Sequence, residues 1–127
     1  MSTITIAGNL TRDPELHNVN GGKSVARFSV AENRRWADSN GAAQEAVTYL
    51  DIVAWGPMAD HVAASLRTGD RALVTGRLEQ SSWEAQDGTR RTKHELVATE
   101  VAASLRYAEA SVARASRAVA EPDDDLN

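Results

Sequence analysis

Cysteine is absent from this chain of 127 residues, which excludes a disulfide scaffold, thiol catalysis and cysteine-ligated zinc. The three histidines, His17, His61 and His94, are scattered, with no pair at metal-binding spacing. No run of about 18 apolar residues occurs, so no membrane span is expected. The opening MSTITIAGN lacks the basic start and long apolar stretch of an export signal, and the cytoplasm is the expected location. Asn20-Gly21-Gly22-Lys23-Ser24 has no leading glycine and runs into a strand pattern rather than a helix, so it is no nucleotide-phosphate loop. Asp13 and Glu15 flank Pro14 in a turn and read as structural. No acid–base, nucleophilic or metal set is left, and the expectation is a protein that is no enzyme and uses neither cofactor nor metal.

A strong positive charge is missing too. The net charge is −4, yet twelve basic and thirteen acidic residues fall within 1–107, against two and five within 108–127. The acidity therefore sits at the end of the chain, behind a near-neutral domain. Such a domain does not hold a polyanion by charge alone; it needs a local basic stripe and a second kind of contact. The length fits one domain with a modest tail.

What is present is alternation. Thr3–Ala7 reads as a first strand, with Gly8 allowing a bend. Pro14 forbids a central strand in NLTRDPEL. After the Asn20-Gly21-Gly22 turn, Val25–Ala31 is a second strand with Ala26, Phe28 and Val30 inward and Arg27 and Ser29 outward. DSNGAAQE is a loop, and Val47–Trp55 a third strand. Pro57 opens a helix whose Ala59, Val62, Ala63 and Leu66 form one apolar stripe, and Gly69 follows its end. Arg71–Ser81 is a fourth strand with Ala72, Val74, Gly76 and Leu78 on one face, Asp87-Gly88 a hairpin turn, and Thr92–Val101 a fifth strand. Five strands with one helix between the third and fourth is the order of an all-β OB-fold, a small Greek-key barrel, here with a short C-terminal extension.

The third strand is the most telling. Leu50, Ile52 and Ala54 alternate with Tyr49, Asp51, Val53 and Trp55. The first set is a core face. The second puts two large rings beside a carboxylate, on a face expected to meet water, where rings serve as platforms for flat ligands such as nucleic-acid bases. Phe28, between Ala26 and Val30, is expected in the core.

GNLTRDPEL, NGGKSVARFSVAENRRW, TYLDIVAWG and LRTGDRALVTGRLEQSSWEAQDGTRR, in register over residues 3–107, resemble bacterial single-stranded DNA-binding proteins. SLRYAEASVARASR resembles the segment after the barrel in actinobacterial members. The resemblance implies a domain over 1–107 that coats single-stranded DNA during replication, repair or recombination, a homotetramer, and a nucleoid-associated place in the cytoplasm. It implies base stacking on Trp36, Tyr49, Trp55 and Trp83. Arg34, Arg35, Arg90, Arg91 and Lys93 flank this ring track and are expected on phosphates; Lys23, Arg12, Arg71 and Arg77 are weaker candidates. Asp51 departs from a family position that is often basic, and reads as a carboxylate paired with a neighbouring arginine. Outward residues such as Leu73 are expected at a subunit contact.

The extension, 108–127, begins with an Ala/Ser/Arg-rich stretch that is helical by propensity, or, by the resemblance, a strand clasping a neighbouring subunit. It closes on Glu121-Pro122-Asp123-Asp124-Asp125-Leu126-Asn127. Asp123, Asp124, Asp125 and Leu126 resemble the tip that recruits replication and repair proteins, without its closing proline and aromatic residue, so weakened recruitment is expected. The alternative is an OB-fold adaptor of the replication-restart type that binds proteins, touches nucleic acid weakly, and buries these rings.

Overall fold

The computed structural model describes residues 3–115. Its strands are β1 (Thr3–Leu10), β2 (Glu15–Asn18), β3 (Ser24–Ala37), β4 (Ala43–Trp55), β5 (Arg71–Glu84) and β6 (Arg90–Ala103), with helix α1 (Pro57–Ser65) between β4 and β5. They form one sheet in the order β1-β5-β6-β4-β3-β2, and β1 pairs again with β3 through Asn9↔Ala31 and Leu10↔Val30. That last pairing closes the sheet into the expected small barrel. Closure depends on Gly8: a Cβ there would stand 2.6 Å from the Ala31 carbonyl oxygen, so only a residue without one lets β3 approach.

The inward positions fill the barrel as alternation requires. Ala26, Phe28 and Val30 of β3, Ile52 and Ala54 of β4, Ala72 and Val74 of β5, and Leu96 of β6 are essentially inaccessible and join one core. Helix α1 adds Ala59, Val62 and Leu66 to it, so its apolar stripe stoppers the barrel. Ser24 Oγ donates to Asp60 Oδ1 at 2.8 Å, tying the helix start to the foot of β3. His61 is exposed, as the stripe predicts.

Two differences from the sequence expectation concern polar residues. A sixth, short strand, β2, pairs with β3 beside Pro14 with all four of its residues exposed; an edge position accommodates the proline. The long strands also outrun their apolar stretches. β3 and β4 stay paired out to Ala37↔Ala43, and β5 and β6 to Glu84↔Arg90, so two hairpin arms project from the barrel. The loop expected over DSNGAAQE shrinks to a tight turn at 38–42.

Both arms end in the same turn. In the first, Asp38 N–H donates to the Ala42 carbonyl and Gly41 N–H to the Asp38 carbonyl, and in the second Ala85 N–H donates to Thr89 and Gly88 N–H to Ala85. Gly41 and Gly88 take the left-handed conformation that a three-residue hairpin loop needs at that position.

After β6, Ser104 N–H donates to the Arg71 carbonyl and extends the ladder by one bond. Residues 108–115 then take neither the helix nor the strand considered for this stretch. Among the described residues, no helix is long and apolar enough to cross a membrane.

Candidate nucleic-acid interface

Trp36, Tyr49, Trp55 and Trp83 are 43%, 65%, 40% and 48% exposed. All three tryptophans of the chain thus stand partly bare on a closed barrel whose one phenylalanine is in the core. Leaving such area in water costs about 25 cal/mol per Å² relative to burial, and folding alone gives no reason for it.

The register decides which rings share a face. Tyr49 and Trp55 lie six residues apart on the outward side of β4, roughly 20 Å along the strand. Between them come Asp51 and Val53. β4 runs parallel to β6 only through Asp51↔Glu95, Ile52↔Leu96 and Val53↔Val97. Below Asp51 the two strands part into separate arms, and Tyr49 stands where they diverge. On the second arm, Trp83 is opposite Arg91, Ser81 opposite Lys93 and Glu79 opposite Glu95. By alternation Trp83, Arg91 and Lys93 therefore continue the outward face that carries Tyr49. Trp36 does not. It pairs with Gln44 and shares the parity of Arg34 and Val30, the inward side of the barrel carried out onto the arm. The sheet brings three of the four rings to one face and puts the fourth on the reverse of the first arm.

The cations divide between rings and carboxylates. The Arg34 guanidinium lies 5.2 Å from the centroid of Trp36, two residues along the same face, and the Lys23 ammonium 6.0 Å from that of Trp55. Arg35 is 3.7 Å from Glu45, Arg91 3.7 Å from Asp87, and Lys93 3.4 Å from Glu95. These pairs are solvent-accessible and individually weak, so a phosphate competes with them at little cost. Arg90, opposite Glu84, makes no ion pair among the described residues.

Two expectations for β4 change. Val53, expected outward with the rings, is 2% exposed. Arg27, opposite it on β3, reaches across β4 to Glu95 on β6 at 2.7 Å, and the aliphatic stem of such a bridge covers what it crosses. Asp51, expected to pair with a neighbouring arginine, has no ion pair among the described residues, and Arg27 on the adjacent strand is engaged by Glu95 instead. Sequence reasoning underrated Lys23, whose chain distance from Trp55 hides their pairing across Val25↔Trp55. It also passed over Arg106 and Tyr107, where only the single ring in SLRYAEAS gives a signal. Among the described residues no cluster of His, Cys, Asp and Glu is placed to hold a metal ion.

The model of the single-strand binding protein family matches residues 1–104. This chain belongs to the single-strand binding protein family. A single-stranded DNA-binding protein of Bifidobacterium longum is 44% identical over 117 residues, covering 91% of this chain and 54% of the relative. One of Mycolicibacterium smegmatis is 43% identical over 118 residues, covering 91% and 72%. This member of the family thus spans about half the length of the Bifidobacterium protein. Among solved structures, a Plasmodium falciparum SSB in complex with ssDNA superposes with a TM-score of 0.76 at 25% identity, covering 81% of this chain and 94% of the other. These relatives are named as binding proteins, and the OB-fold barrel is common to the family member here and the Plasmodium structure.

Proposed function

We propose that this chain binds single-stranded DNA without sequence preference and protects it during replication, repair or recombination, without catalysing a reaction. The observation that carries this is the exposure of Trp36, Tyr49, Trp55 and Trp83 on a barrel that has a complete core without them. Unpaired bases stack on such rings whatever their identity, because every base has a π-face. A duplex hides those faces and binds weakly. Arg34, Arg35, Arg90, Arg91 and Lys93 supply phosphate contacts around the rings. An adaptor that buries these side chains against its own core fits the exposures poorly.

The binding unit is 1–107 and the extension 108–127. The protein acts in the cytoplasm, at the nucleoid, as a homotetramer. Leu73, 44% exposed on β5 between Ala7 of β1 and Ala102 of β6, supports a subunit contact on that side. Asp123, Asp124, Asp125 and Leu126 lie outside the described residues; our reading is that this tip recruits partner enzymes weakly, and micromolar binding of the peptide EPDDDLN to such an enzyme overturns it. The binding itself is tested by titrating the full chain with oligo(dT). Intrinsic tryptophan emission is expected to fall to a plateau, with light scattering reporting assembly mass; unchanged emission at saturating oligo(dT) overturns the reading.

A further inference from the structure

At the end of the barrel, where β6 gives way to the extension, a cleft of about 400 Å³ is lined by Asn9, Asn33, Arg35, Arg71, Arg106 and Tyr107. Three of its six walls are cations and none is a carboxylate. We propose that Arg35, Arg71 and Arg106, gathered around Tyr107, form a further contact for single-stranded DNA that takes its phosphate backbone beyond Tyr49; this rests on the reading that the chain binds such a strand.

The first argument is how the cations are held. The guanidinium carbons of Arg71 and Arg106 lie 5.7 Å and 5.4 Å from the centroid of the Tyr107 ring. An aromatic face attracts a cation through its quadrupole but does not neutralise it. The ring therefore brings two positive charges together and leaves both available to an anion. Among the described residues, neither Arg71 nor Arg106 has a carboxylate within salt-bridge distance. Arg71 Nε is buried with no acceptor, so one of its donors is spent on nothing in the protein. Arg35 has Glu45 at 3.7 Å, an accessible pair that a phosphate can replace.

The second argument is position. Asn9 of β1 is opposite Arg71 of β5 on one side and Ala31 of β3 on the other, and Ala31 is opposite Tyr49 of β4. Arg71, Asn9, Ala31 and Tyr49 thus form one row across four strands on the outward face. Strand spacing puts Arg71 about 14 Å from Tyr49, with only an alanine and an asparagine between. The Ser104–Arg71 backbone bond fixes the chain at the start of β5, and the next three residues return Arg106 and Tyr107 over Arg71. A strand that leaves the Tyr49 ring along this row meets the three guanidiniums directly. Because the Tyr107 ring already carries two of them, the contact is to phosphate and not a base stack. Arg106 and Tyr107 also lie past residue 104, where the match to the family model ends.

The test uses the full chain and oligo(dT) long enough to run past Tyr49, with tryptophan emission followed at several salt concentrations. Arg106→Ala is expected to reduce the slope of log K against log salt by about 0.7 and to weaken binding at low salt on the order of threefold to tenfold. Quenching at saturation stays at the wild-type value, since no tryptophan is touched, and so does the melting temperature, since Arg106 is exposed. Tyr107→Ala is expected to weaken binding likewise and Tyr107→Phe to keep it, because the quadrupole and not the hydroxyl assembles the site. Arg114→Ala, an exposed arginine outside the cleft, is expected to leave the slope unchanged. An Arg106→Ala protein with wild-type slope and affinity overturns the contact, as does an equal loss from Arg114→Ala. A wild-type chain that does not respond to oligo(dT) is a different failure: it overturns the single-strand reading, and the contact with it.

Discussion

Asp51 and Glu95 stand opposite each other across the parallel β4–β6 ladder, two carboxylates side by side between the Tyr49 and Trp55 rings. Only one of them is compensated. Glu95 accepts from Arg27 at 2.7 Å and lies 3.4 Å from Lys93, while Asp51 is exposed and unpaired among the described residues. Directly opposed like charges destabilise a sheet, and an uncompensated carboxylate repels a phosphate that passes between the rings. Asp51→Asn is therefore expected to strengthen oligo(dT) binding at low salt by about twofold to fivefold, with the gain shrinking as salt screens it. Affinities measured at two salt concentrations check this, and a loss of affinity would mean that the strand does not cross Asp51.

The opposition of Trp83 and Arg91 on the second arm makes a separate prediction. Trp83 is half exposed and outside the core, so removing it leaves folding alone. Trp83→Ala is expected to weaken single-strand binding by about 1–3 kcal/mol, the general range for base stacking in proteins of this kind, with no change in melting temperature. Trp83→Phe recovers most of the loss, because a ring remains. Calorimetric titration with oligo(dT), which does not depend on the lost fluorophore, makes the comparison.

The barrel was legible in the sequence wherever a core enforces alternation. Ala26, Phe28 and Val30 against Arg27 is an unambiguous period of two because one side of that strand is dry. The same strand carries on through Glu32–Ala37, where neither face is buried and the periodic signal disappears although the pairing persists. This is why alternation alone ends the second strand at Ala31, short of its paired length, and groups Trp36 with rings from which the register separates it. Val53 escaped for a related reason: its cover is a side chain from β3 reaching to β6, a relation across three strands that no local pattern records. The Tyr107 cleft needs Asn9, Asn33, Arg35 and Arg71 brought together by barrel closure, and these residues are far apart along the chain.

Closure itself is testable at Gly8. A Cβ at this position would lie 2.6 Å from the Ala31 carbonyl oxygen and 3.0 Å from its carbon. Both are backbone atoms held in the β1–β3 and β3–β4 ladders, so neither moves aside. Gly8→Ala is expected to destabilise the domain by about 1–3 kcal/mol, by overpacking alone, lowering the melting temperature by several degrees. Amide exchange should speed first at Thr11, whose N–H donates to the Ser29 carbonyl across the seam. Equal stability of Gly8→Ala and wild type would mean that the seam is looser than this geometry.

The two arm tips carry the acid sensitivity of the interface. Asp38 is held below its ordinary value of 3.8, chiefly because its carboxylate accepts from the Ala42 amide; desolvation opposes this, and the Asn40 amide and the Gln44 side chain add to the lowering. Asp87 is lowered likewise, first by the Thr89 hydroxyl and then by the Thr89 amide. A carboxyl that ionises more readily in the folded arm than in the unfolded chain stabilises the fold above its unfolded value, and that contribution is lost as pH falls through the lowered folded value. The arms should therefore keep their turns at neutral pH and loosen as pH falls through these lowered values, each as its own aspartate protonates. NMR titration of the two side chains should give midpoints under 3.8, with the Ala42 and Thr89 amides losing protection over the same interval. Because Trp36 and Trp83 ride on these arms, tryptophan emission should shift with those midpoints. In Asp38→Ala or Asp87→Ala the corresponding arm should show no such transition, and a transition that persists in both variants would place the acid-sensitive element elsewhere in the barrel.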